Sequence, residues 1–203
     1  IEKFEYQLPD EYRLDEQLKS ICSRLKIHWE VFDSEHFYTT RNELTDFFKG
    51  KKLLLMENFY RNVRKKHYVL MDDSAPLGNQ WNFDADNRKK YKGEVPVPSE
   101  KNFHTDVSEV VSQIKKAGIL TFGNVDLQNF SWPTSREQCL VVLEYFCKNL
   151  LKHFGDYEDA MHTDEKFLFH SRLSFAMNTK MLSPKEVIQC VIYHFHENDT
   201  EIS

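Results

Sequence analysis

Residues 3–32 read KFEYQLPDEYRLDEQLKSICSRLKIHWEVF, and this stretch sets the fold class of the chain. Phe4 to Tyr6 is a candidate strand. Leu14, Leu18, Ile21, Cys22 and Leu25 then recur at i, i+4, i+7, i+8 and i+11, along one face of a helix. Ile27-His28-Trp29-Glu30-Val31-Phe32 follows in rough alternation, as a second strand. Strand, helix, strand in that order predicts a parallel pair within an α/β unit. A pair of strands makes too small a sheet to stand alone, so a larger sheet is expected around it.

Further along, Thr40-Arg41-Asn42-Glu43 is a capping box that opens a helix carrying Leu44, Phe47 and Phe48, stopped by Gly50. A longer helix is expected from about Met56 to Leu70. Its apolar face is Met56, Phe59, Tyr60 and Val63, with Arg61, Arg64, Lys65 and Lys66 largely elsewhere. Those cations are candidates for steering nucleic acid, and a plain solvated helix face is the competing reading. From Asp72 to about Phe103 the chain turns polar, with Pro76, Gly78, Gly93, Pro96 and Pro98, and reads as a long connection across the surface.

Beyond it the pattern is helical throughout. Val107, Val110, Val111 and Ile114 form one face, closed by Gly118. Thr134-Ser135-Arg136-Glu137 is a second capping box, ahead of an apolar helix with Leu140, Leu143, Phe146, Cys147, Leu150, Leu151 and Phe154. Ser183-Pro184-Lys185-Glu186 is a third, with proline at N1. Its helix carries Val187, Ile188, Val191, Ile192 and Phe195.

Composition narrows the function classes. Of the 203 residues 40% are apolar and 14% aromatic, which excludes a disordered chain. The formal charge of −5 gives no whole-chain support for nucleic-acid binding. No window reaches the ~18 apolar residues of a membrane span, and Ile1-Glu2-Lys3 does not begin a leader pattern. No membrane partner and a cytoplasmic location are therefore expected. Cys22, Cys139, Cys147 and Cys190 show no CxxC and no metal-ligand spacing, so buried thiols are expected. His194 and His196 fall on different sides of a helix, and no metal site is expected from them. Asp156, Glu158, Asp159, Asp164 and Glu165 fit no calcium loop and read as a solvated turn. Glycine-rich phosphate loops, GxSxG and HExxH are absent.

The stretch richest in chemistry is residues 157–183, YEDAMHTDEKFLFHSRLSFAMNTKMLS. Its His170-Ser171-Arg172-Leu173-Ser174 resembles the T-S-x-L-S segment of the photolyase/cryptochrome flavin-binding domain. Met56-Glu57-Asn58-Phe59-Tyr60-Arg61, the run WNFDADNR at 81–88 and Phe154 to Met161 resemble, in order and spacing, one branch of that family. That branch is the deoxyribodipyrimidine photolyase-related proteins, the bacterial iron–sulfur (6-4) photolyases. The resemblance extends from about residue 3 to residue 190, and WNFDADNR is its most specific part.

What the resemblance implies is concrete. The fold would be α/β and then mostly α: residues 1–50 end a Rossmann-like antenna domain, 51–103 are a connecting helix and interdomain loop, and 104–203 begin an α-helical FAD-binding domain. Tyr157, His170, Ser171, Arg172, Leu173 and Ser174 would hold the phosphate end of FAD, where free helix N–H groups attract an anion. Lys180 stands where the family usually has Gly, which counts against a tight left-handed turn there. Similar enzymes bind UV-damaged DNA and split a pyrimidine photoproduct by electron transfer from photoexcited reduced FAD. A lumazine antenna and a [4Fe–4S] cluster are expected only in full-length family members. The chain, which begins without Met, is read as an internal piece. Alone it is expected to be inactive, to bind FAD weakly or not at all, and to self-associate through exposed apolar surface. Catalytic residues are not assignable from it. Two other readings stay open: a cryptochrome-like photoreceptor without repair, and a helical interaction domain.

Overall fold

A computed structural model describes residues 1–197, so positions 198–203 of the helical region expected over 104–203 lie outside the described residues. The chain divides into two compact units, Ile1–Leu77 and Gly78 onward. It is mixed α/β and mostly helical, and among the described residues no helix is long and apolar enough to cross a membrane.

In the first unit β1 (Lys3–Gln7), α1 (Tyr12–Cys22) and β2 (His28–Phe32) follow the expected order. β1 and β2 pair in parallel, with Lys3 opposite His28 and Gln7 opposite Phe32. The larger sheet is not seen: among the described residues this sheet has two strands. The expected face of α1 is only partly covered. Cys22 is buried, whereas Leu14 is 44% exposed. Asp15 is buried instead, where Arg41 Nη1 (2.7 Å) and Lys19 Nζ (3.0 Å) neutralise it. α2 (Arg41–Phe48) starts where the capping box put it: the Glu43 carboxylate accepts from the Thr40 N–H at 3.3 Å. Its Phe47 and Phe48 pack edge-on and tilted against Phe59 of α3 (Met56–Lys66).

α3 ends earlier than its sequence pattern suggests, because Tyr68 (φ 55°) and Leu70 (φ 47°) turn left-handed. The Arg64 guanidinium fastens that turn, donating to the carbonyls of Val69 and Leu70 at 2.8 Å each. A short hairpin follows, β3 (Met71–Asp72) with β4 (Ala75–Pro76), inside what reads as featureless loop.

The second unit is built on α4 (Ser108–Lys116), α5 (Arg136–Asn149), α6 (Leu151–Tyr157), α7 (Ser174–Asn178) and α8 (Pro184–Glu197). α5 is its spine. Cys139, Val142, Leu143, Phe146, Cys147 and Leu150 are all buried, against Leu168, Phe169, Leu173, Ala176 and Leu182. The single apolar helix expected through Phe154 is broken at Leu150. There the Asn149 side chain donates to the Tyr145 carbonyl (2.9 Å), and a side-chain donor competing for a helical carbonyl loosens the turn. The capping box is also shifted by one residue. Ser135, not Thr134, is the N-cap and accepts from the Gln138 N–H (3.3 Å), while the Gln138 side chain reaches back to the Thr134 N–H (2.7 Å). At Ser183 the box holds as expected: Ser183 Oγ accepts from Glu186 N–H (3.2 Å), and Glu186 accepts from Ser183 N–H (2.9 Å).

The polar stretch ending at Phe103 is anchored rather than merely superficial. Tyr91 is buried in the core, and Val95, Val97 and Phe103 pack against it. The WNFDADNR run is stitched to the start of the 157–183 stretch. Asp159 N–H donates to the Asn87 carbonyl (3.1 Å), Lys89 N–H to the Asp156 carbonyl (3.0 Å), and Lys89 Nζ reaches the Asp156 carboxylate (2.6 Å). The acidic turn is thus partly paired. Lys180 corrects the sequence expectation: at φ 60° it does make the left-handed turn. Its N–H donates to Met177 and that of Met181 to Ala176, the bond pair of a Schellman cap on α7.

Candidate functional site

The segment leading into α7 carries two left-handed residues that are not glycine, Leu168 (φ 43°) and Arg172 (φ 57°). Such backbone is strained and needs surrounding packing to hold it. Leu168, Phe169 and Leu173, all essentially buried, supply that packing. With those side chains turned inward, His170, Ser171 and Arg172 line a cavity of about 210 Å³ together with Glu100, Lys101 and Lys166. Val142 and Tyr145 of α5 form part of its wall.

Arg172 is the centre of this arrangement. Its guanidinium carbon lies 4.2 Å from the Phe167 ring centre and 4.8 Å from that of Trp132, so its plane is held by aromatic faces. Glu100 approaches to 3.7 Å, an ion-pair contact too long to be a hydrogen bond. The Nε atom is buried and has no hydrogen-bond partner. A buried, unsatisfied donor costs on the order of 1–3 kcal/mol. Ser171 Oγ is 3.5 Å from the Leu173 N–H, at the limit of a hydrogen bond.

The other sequence candidates are placed differently. Tyr157 is 4% exposed and stacks on Phe169 with ring centres 5.3 Å apart. Its hydroxyl donates to Glu94 Oε1 (2.6 Å), and that carboxylate, with burial, pushes the phenol up to about 12. Tyr157 touches the cavity-lining set through its carbonyl, which lies 3.2 Å from His170 Nε2. A carbonyl only accepts, so Nε2 carries the ring proton. The Leu173 side chain belongs to the core, and Ser174, first residue of α7, is exposed outside the cavity wall. The structure therefore brings together His170, Ser171 and Arg172. The sequence reading missed Glu100, Lys101, Lys166, Phe167 and Trp132, which no spacing rule connects to Arg172.

In the first unit the expected basic face is largely engaged. Arg64 is buried on backbone carbonyls, Arg61 pairs with Glu57, and Lys66 Nζ pairs with Glu43 (2.6 Å). Lys65 is exposed. A separate cavity of about 480 Å³ lies beyond the C-terminal ends of β1 and β2, lined by Pro9, Asp10, Asp15, Asp33, Thr40 and Arg41 among others. Asp15 Oδ1 is buried there without a partner.

A third cluster escaped the sequence reading. α5 and α8 pack so that Cys147 Sγ and Cys190 Sγ are 3.5 Å apart. His194 Nε2 lies 3.1 Å from Glu144 Oε2, and Cys190 Sγ lies 4.0 Å from the same oxygen. The overlooked signal is Cys190 and His194 at i, i+4 on one helix face.

Residues 1–132 match the family described as "Deoxyribodipyrimidine photo-lyase-related protein". The chain is also similar to a (6-4) photolyase from Agrobacterium fabrum (strain C58 / ATCC 33970), at 29% identity over 197 residues. That alignment covers 96% of this chain and 38% of the relative, so the chain spans well under half the relative's length.

Proposed function

Because the chain belongs to the deoxyribodipyrimidine photolyase-related family, we propose that it supplies the phosphate-anchoring part of a flavin-dependent, light-driven DNA-repair enzyme acting on UV-induced pyrimidine photoproducts. The observation that carries this reading is Arg172: a planar, ring-stacked guanidinium with an orphaned buried Nε, facing a cavity beside Ser171 and His170. These residues fit an oxyanion. Arg172 offers the charge of its guanidinium to a phosphate, Ser171 adds a short hydroxyl donor, and Lys166 and Lys101 add positive charge. Leu173 contributes its backbone, Ser174 stands at the first turn of α7, and Tyr157 holds Phe169 and His170 in place behind the anion. When bound, reduced FAD supplies the photoexcited electron that splits the lesion. At about 210 Å³ the cavity is smaller than the ~300–1,000 Å³ of a typical whole-ligand pocket, matching the phosphate end alone. The 203 residues by themselves are accordingly expected to hold FAD weakly and to be inactive.

The first unit reads as part of a Rossmann-like antenna domain. Ligands of parallel sheets sit beyond the carboxyl ends of the strands, and the cavity there, lined by Asp10, Asp33, Thr39 and Thr40, is where a lumazine would be held. The residues present do not fit a [4Fe–4S] cluster, which takes four thiolates: Cys147 and Cys190 meet a histidine and a glutamate rather than two further cysteines. Damaged DNA is the proposed partner, with Lys65 the exposed cation of the expected basic face.

The deciding experiment is to purify, in the dark, the protein that carries this chain, record its visible spectrum and identify released cofactors, then assay repair of a lesion-bearing oligonucleotide with and without blue light. Bound FAD and light-dependent repair support the proposal. FAD with no repair favours a photoreceptor, and a folded, colourless protein removes the flavin assignment.

A further inference from the structure

We propose that Cys147, Cys190 and His194, completed by Glu144, form a tetrahedral zinc site that clasps α5 to α8. The three Cys and His ligand atoms all lie within 4.8 Å of one another. A tetrahedral zinc with bonds of ~2.3 Å to sulfur and ~2.0 Å to nitrogen or oxygen places two sulfurs about 3.8 Å apart and an N···O pair about 3.3 Å apart. The observed separations are 3.5 Å for the sulfurs and 3.1 Å for His194 Nε2 to Glu144 Oε2. Those two pairs need to move only a few tenths of an ångström, while the wider members of the trio, within 4.8 Å, close toward about 3.5 Å as the ion enters. Two thiolates and an imidazole are a soft donor set that suits zinc over magnesium or calcium.

The surroundings suit the same role. Cys147 and His194 are buried and Cys190 half-buried, giving a dry centre with one carboxylate at its open edge. Lys148 Nζ holds the other oxygen of Glu144 at 2.8 Å, orienting the carboxylate as an outer partner of a metal ligand does. The helix positions are also apt. Glu144 and Cys147 are i, i+3 on α5, Cys190 and His194 are i, i+4 on α8, and each pair shares a face. On binding, two thiol protons leave to solvent as two zinc–sulfur bonds form. No electron transfer is involved.

The test uses the purified, reduced chain, loaded with zinc, freed of loose metal and measured for bound zinc, with cobalt as the spectroscopic substitute. The expected result is one zinc per chain, thiolate-to-cobalt charge-transfer absorption, and a melting temperature that falls on chelation. Cys190→Ser and His194→Gln should each lose the tight zinc. Glu144→Gln, which replaces the charged fourth ligand by a neutral amide, should weaken the binding. Cys139→Ala, whose sulfur contacts Met181, should retain zinc. Circular dichroism establishes that each variant is folded. The proposal is overturned if the folded, reduced chain binds neither zinc nor cobalt tightly, if Cys190→Ser keeps full zinc, or if alkylation and mass measurement find Cys147 and Cys190 joined as a disulfide.

Discussion

Arg172 stands on the least comfortable backbone of the candidate site, and its guanidinium is satisfied by rings more than by acceptors. Those facts separate stability from binding. Arg172→Leu is expected to change the melting temperature little, because replacing a poorly paired buried charge by an apolar group is often neutral or stabilising. The same variant should weaken FAD binding by at least about tenfold, the loss of one charge-assisted hydrogen bond of ~1.5–3 kcal/mol. Titration of reconstituted protein and a thermal melt measure the two effects. Tyr157 makes a pH prediction. Its phenol is raised from 10.0 to about 12, first by the hydrogen bond to Glu94 and then by burial. A raised group stabilises the fold fully below its unfolded value, so this contribution is intact below pH 10 and lost between about 10 and 12. Tyrosinate absorbance should lose one phenol from its latest-titrating part in Tyr157→Phe.

Among the elements, the cap on α7 offers the sharpest check. Lys180 sits at φ 60° in a Schellman turn where a side chain carries a penalty of about 1 kcal/mol. Lys180→Gly relieves it and gives back part through the looser unfolded chain, for a net gain of about 0.5 kcal/mol in chemical denaturation. The element level is also where the sequence was most readable. The β-α-β order, the starts of α2 and α8, and the apolar spine of α5 all follow from periodicity and capping residues. What escaped was set by competition. Asn149 breaks a helix whose apolar pattern runs straight on, and Gln138 moves the cap by one residue. The site was half legible for a related reason. Ser171 and Arg172 are neighbours in sequence, but the rings that hold Arg172 come from Trp132 and Phe167, which only the folded core brings together.

At the scale of the whole molecule, the units differ in how much they bury. The first hides Cys22, Phe59 and Met71, whereas the second buries most of α5 and the segment before α7. Hydrogen exchange should therefore protect amides of α5 well above those of β2, every residue of which is exposed. Equal protection would contradict this division. Leu53, Leu54, Leu55 and Met56 lie exposed in one run, and Leu120 and Phe122 almost wholly so. Self-association that rises with concentration is the expected result in sedimentation, and a monomer at all concentrations would count against it. The stitches between the WNFDADNR segment and residues 156–159 bear on how the second unit assembles. The Arg88–Asp159 and Lys89–Asp156 pairs span 71 and 67 residues of chain. Closing so large a loop is entropically expensive and gains nothing until its docking surface exists. The broken α5–α6 helix is therefore expected to form before this segment docks, which would make the segment most distinctive of the family the clock of folding for this unit.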